Sequence, residues 1–154
     1  MQKLLLSVFL LSVLSASADE AALPAEEQKA TVRPPILAAV EKELDRLSRQ
    51  AKEEAGPDWP RPSSEVAFML LAGLAAQGSP VKQFSADDLR QLGITSTSRD
   101  RVQLFTVADD ARITIVATWI QDKSGSYTRK VALLHRLREK KWVERGSGTT
   151  VAAK

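Results

Sequence analysis

The chain has no cysteine. That absence excludes disulfides, thiolate catalysis, cysteine-ligated metal sites and anchoring through a lipidated cysteine. Asparagine is missing too, so no N-glycosylation sequon can exist. Only one histidine occurs, His135, which leaves little material for imidazole chemistry. There is no nucleophile elbow, no Gly-rich phosphate loop and no His/Asp/Glu spacing suited to a metal. The sequence therefore assigns no catalytic, cofactor-binding or metal-binding residue.

What is present begins at the N-terminus. Lys3 precedes an apolar run from Leu4 to Leu14, broken only by Ser7 and Ser12. Ala16-Ser17-Ala18 then offers small residues for a signal peptidase, followed by the acidic pair Asp19-Glu20. These signatures predict a secretory signal peptide, residues 1–18, cleaved after Ala18. The run is about 11 residues long, against roughly 20 for a membrane-crossing helix, so no stable membrane anchor is expected after cleavage. The expected destination is the periplasm or the exterior; the Ala- and Arg-rich, Asn-free composition suggests a GC-rich bacterial genome, which would make it a periplasm. A mature chain of about 136 residues can bury a single core without disulfides.

Charge sets a further limit. Without Lys3, 21 cations face 19 acids, a balance of +2 that is no nucleic-acid signature. The charges are unevenly spread: residues 19–54 hold six cations and nine acids, and residues 122–145 hold eight cations and three acids. Such a polarity makes an electropositive surface a candidate feature, although solvated surface is its commoner meaning.

Residues 19–35, ending in Pro34-Pro35, have little apolar content and read as a flexible leader. From Ile36 the spacing of Ile36 or Leu37, Val40, Leu44, Leu47 and Ala51 predicts an amphipathic helix ending at Gly56-Pro57. GPDWPRP (56–62) is a rigid connector whose Trp59 either covers the core or anchors a partner. Ser63 or Ser64 can cap a second helix through VAFMLLAGLAAQ, apolar nearly all round and so expected to be buried on most sides. Ser85 caps a short third helix with Asp87 and Asp88 in its first turn, a Phe84–Leu89 staple and a Gly93 stop. This accounts for the paired carboxylates without catalysis.

Beyond Asp100 the period drops to two. RVQLFTV (101–107) and RITIVATWIQ (112–121) read as strands joined by ADDA, with Asp109-Asp110 supplying turn chemistry. Residues 127–138 are ambiguous, because propensity favours a helix. A helix would need burial all round while carrying Arg136 and Arg138, and the preceding hairpin decides for a strand. On that strand His135 lies with Leu133 and Leu137, facing the helices as a hydrogen-bonded core residue; Ser64 and Asp88 are not arranged around it. KKWVERG reads as a turn and short final strand, leaving residues 147–154 as a flexible tail.

The predicted fold is α+β: residues 36–146 form one domain, three helices packed on one face of an antiparallel meander of about four strands. In layout only, this order of helices and curved meander resembles cystatin-type or NTF2-like rolls. The second strand is apolar on both faces, with Val116 and Ile120 opposite Trp119, so a curled sheet edge, a partner subunit or a ligand is expected to cover its second face. Two functions suit these features. One is an exported, non-enzymatic interaction module, accessory or inhibitor/immunity-like, that binds a protein partner or itself. Its candidate contacts are Trp59, Val116, Trp119, Ile120, Arg136 and Arg138. The alternative is a small apolar-ligand binder with a pocket lined by Phe68, Met69, Trp119 and Leu133. No cofactor is expected. Amino-terminal sequencing of protein recovered from the cell envelope should read from Asp19; a chain that still begins at Met1 there would overturn the cleaved signal.

Overall fold

The computed structural model describes residues 34–55 and 65–153. The expected signal peptide, most of the leader, the Pro-rich connector and Trp59 lie outside those residues. Helix α1 spans Pro34–Ala55 and starts two residues before Ile36. Prolines suit a first turn, where no intrahelical N–H bond is lost. The predicted stripe is the buried one, with Leu37, Val40 and Leu44 in the core and Leu47 packed against it.

Helix α2, Glu65–Ala76, buries Ala67, Phe68, Leu71, Leu74 and Ala75. It is not buried on most sides: Val66 is 56% exposed and Met69 68%. Its neighbours are α1 and the sheet, so the outward arc has no cover among the described residues. Strand β1, Ser79–Pro80, follows, and then α3, Ala86–Gln91. The Ser85 hydroxyl accepts the Asp88 N–H, while the Asp88 carboxylate accepts the Ser85 N–H at 2.7 Å, a complete capping box. Gly93 ends the helix at φ +66°, a left-handed conformation costly for other residues.

Four long strands complete the chain: β2 Asp100–Ala108, β3 Ala111–Asp122, β4 Gly125–Arg138 and β5 Lys141–Ala153. With β1 they form one open antiparallel sheet in the order β1-β2-β3-β4-β5. The α+β architecture is as predicted, with five strands rather than four. The fifth comes from Ser79 and Pro80, too short to show a period, which pair with Thr106 and Phe105. β4 settles residues 127–138 as a strand.

Two expectations are corrected. Residues 147–153 are not a tail: Ser147 to Ala153 pair with Leu133 back to Tyr127. The stretch GSGTT has no hydrophobic alternation, and its strand geometry comes from the length of β4 beside it. The helices are also not all on one face. The α1/α2 core includes Val107, Ala111, Ile113, Ala132 and Leu134. The intervening residues Leu104, Val116 and Leu133 pack instead with Leu89, Leu92 and Ile94 of the α3 segment. The second face of β3 is covered at Val116 by a segment of the chain's own helical part, and not by a curled edge, a partner or a ligand. The sheet is thus a filling between two unequal layers.

Close approach of α2 to β5 is paid for in side-chain volume at one residue. A Cβ on Gly148 would stand 2.0 Å from the Phe68 backbone nitrogen, so the strand must carry glycine where the helix crosses. Gly148→Val should therefore destabilise the fold by about 3 kcal/mol or more, since helix backbone cannot yield as a side chain does. A denaturant midpoint equal to that of the unmodified chain would refute this contact.

Candidate functional site

Strands β3 and β4 run beyond the area that α1 and α2 cover. Side chains alternate, so the face that begins with Ile113 and Ile115 in the core continues through Ala117 to Trp119. Ala117 lies between Arg101 on β2 and Lys130 on β4, making one cross-strand row. Trp119 pairs with Thr128 in the next row, and Arg99 stands just before β2 on that side. These residues and Gln103 line an open groove of about 920 Å³. Ala117 makes the groove possible: its short side chain leaves a trough between two cations, walled at one end by the Trp119 indole.

The electrostatics are one-signed. Among the described residues, the side chains of Arg99, Arg101 and Lys130 make no ion pair. The adjacent carboxylate, Asp100, is committed elsewhere. It accepts the Thr118 hydroxyl at 2.6 Å and the Thr97 N–H at 2.6 Å, and these bonds hold its carboxyl below the ordinary range. Since Thr118 projects to the face opposite Trp119, Asp100 fixes the loop that carries Arg99 without neutralising the groove. Trp119 is 40% exposed, so part of its large indole reaches the surface.

The structure does not bring the candidate contacts together. Trp119 lies in the groove. Val116 packs on the opposite face against the α3 layer, and half-buried Ile120 shares that face across from Tyr127. Arg136 is at the far end of the sheet, donating to Glu41 of α1 at 2.9 Å and to Asp110 at 2.6 Å. Asp110 thus serves the turn and this ion pair. Arg138 is exposed beside the β4–β5 turn, and Trp59 is outside the described residues. The four residues named for an apolar pocket also separate: Phe68 is in the core, Met69 is exposed, Trp119 is in the groove and Leu133 faces α3.

Sequence reading found Trp119 and missed Arg99, Arg101, Thr128 and Lys130. Their signal was in the register: Arg99 and Arg101 share a face at spacing two, and Lys130 falls opposite Ala117. The cationic stretch 122–145 is not one patch: the sheet divides it, placing Arg129 and Lys130 on opposite faces. No protein-family model matches the chain, nor does any curated protein or solved structure.

His135 is remote from the groove. It is 2% exposed and faces α3, in the layer of Leu92 and Thr114. Its pKa is lowered because desolvation disfavours the imidazolium, outweighing the Glu144 carboxylate and a hydrogen bond with the Leu92 backbone. The unfolded chain, with an ordinary imidazole near 6.5, therefore takes up the proton first. Stability is complete above that value and falls as pH drops toward the folded pKa, by at most about 1.4 kcal/mol per pH unit. His135→Phe should remove this slope while leaving binding unchanged. Denaturant titrations across that range check it, and an unaltered slope in the variant would assign the effect to another group.

Proposed function

We propose that the protein is an exported, non-enzymatic interaction module, accessory or inhibitor/immunity-like, and that it contacts its partner through the groove around Trp119. The observation that supports this reading is the juxtaposition of an exposed indole with three cations that have no ion-pair partner among the described residues. Surfaces of this composition suit protein recognition: the aromatic supplies buried contact area, and the charges select and orient the partner.

Among the described residues, the close packing between the helices and the sheet supports an external contact surface over an internal pocket. Leu71, Leu74, Ile113 and Leu134 fill the space between α1, α2 and the sheet, each no more than 1% exposed. A protein that carries its cargo in its core needs a cavity there. Among the described residues, an open groove lies outside the core, on strands whose pairing keeps the side chains in fixed register. The one buried histidine is on the other side of the sheet, away from any ligand seated at Trp119.

Affinity capture from native periplasmic extract, with immobilised full chain and with Trp119→Ala, tests the reading. A protein retained by the unmodified chain should be reduced on the variant by about tenfold or more, as for loss of an interface tryptophan, at an unchanged melting temperature. Equal retention on both would remove the groove as the contact surface.

A further inference from the structure

The groove opens at one side onto a sheet edge that, among the described residues, is only half covered. β1 is two residues long and pairs with Thr106 and Phe105 of β2. Its loop adds one further bond, from the Val81 N–H to the Leu104 carbonyl at 2.8 Å. Among the described residues, this outer cover ends past Leu104, until the Asp100 N–H turns back to the Thr97 carbonyl at 3.1 Å. Between these two points lies Val102. In an antiparallel ladder, backbone groups point alternately to the two neighbours. Since the Leu104 carbonyl points outward to Val81, the N–H and C=O of Val102 point outward as well. Val102 also lines the groove.

An edge with free donors and acceptors beside a groove is suited to strand addition, in which main-chain bonds supply affinity and alternate side chains supply selectivity. A strand laid along β2 at Val102 would place every second side chain on the face of Arg101 and Gln103. Next to those positions stand the guanidinium groups of Arg99 and Arg101. Beyond them the short Ala117 leaves the trough clear as far as Lys130. Three like charges around one trough repel each other, and carboxylates entering between them relieve that repulsion. Single-stranded nucleic acid fits less well. It needs a longer cationic track and successive stacking platforms, whereas this groove offers one indole and three cations.

We propose that the groove takes an extended acidic segment of a protein partner, added as an outer strand along the uncovered half of β2 with its carboxylates toward Arg99, Arg101 and Lys130. This rests on the reading of the groove as the contact surface and adds the chemistry and backbone mode of the occupant.

The test uses the full chain and a fluorescent peptide of alternating glutamate and valine, followed by anisotropy at low salt. Binding is expected and should weaken as salt rises. Arg101→Glu with Lys130→Glu should lower affinity by about tenfold or more. Ala117→Leu should do the same by filling the trough at constant charge. Circular dichroism verifies the fold of each variant, and two controls need only the unmodified chain. A peptide N-methylated on the bonds that would face Val102 should lose binding; equal affinity would overturn strand addition while leaving the interaction reading intact. A lysine–valine peptide that binds as well, or no binding of the acidic peptide, would overturn the carboxylate selectivity. Tighter binding of oligothymidine, lost in the same variants, would reassign the groove to nucleic acid. Stronger peptide binding after Asp19, Glu20, Glu26 and Glu27 are all changed to glutamine would make the chain's own acidic leader the occupant instead.

Discussion

Ile113 and Thr114 are neighbours on β3, point to opposite faces of the sheet, and have no exposed surface at all. A strand in that position cannot leave either side in water, because exposing the apolar residues of one face forfeits much of the burial that stabilises the other. Two layers follow from this constraint. α1 and α2 cover the face of Ile113, Ala132 and Leu134, and the α3 segment covers the face of Leu104, Val116 and Leu133. Arg112 on β3 lies 4.6 Å from the centre of the Trp142 ring, and the Ser85–Asp88 box fixes the short helix where Leu89 meets the sheet. The outer end of β3, from Ala117 onward, reaches past the cover on the helix side, and there the groove forms.

The parts of this arrangement legible in sequence were those encoded locally. The Ser85 cap, the Phe84–Leu89 pair and the Gly93 stop are contacts within a few residues, so spacing alone identifies them. The α1 stripe and the period-two strands were readable for the same reason, since burial on one side imposes a period. What could not be read depends on partners distant in sequence. β5 continues through GSGTTVAA because β4 is long enough to pair with it, and Gly148 is demanded by the backbone of Phe68 across the layer. The exposed arc of α2 was hidden as well: an apolar helix looks buried all round until its actual neighbours are known.

The candidate site shows the same division more sharply. Trp119 was conspicuous as a large aromatic on a strand, but its importance comes from what faces it. Arg101, Ala117 and Lys130 are separated by up to 29 residues of sequence and meet only through the β2–β3–β4 register. Conversely, Arg136 looked like part of a basic surface and instead holds α1 to the β2–β3 turn through Glu41 and Asp110. Its side chain is only 14% exposed, so its charge is engaged inside the fold. Local density of cations was a poor guide because neighbours along a strand belong to different surfaces.

Rigid placement is what makes the groove more than an accident of surface composition. Arg101, Ala117, Trp119, Thr128 and Lys130 sit on paired strands, and Arg99 follows a loop fixed through Asp100 to Thr97 and Thr118. Side chains anchored in this way lose less freedom on meeting a partner than those of a mobile loop, so more of the contact energy remains as affinity. The direction of Asp100 matters most. Had its carboxylate turned to the Trp119 face, it would have neutralised one of the cations beside it; bonded to Thr118 on the opposite face, it stiffens the loop and leaves the positive field intact. For the acidic segment proposed as its occupant, a cationic groove beside a backbone edge that is uncovered among the described residues would need little rearrangement on binding.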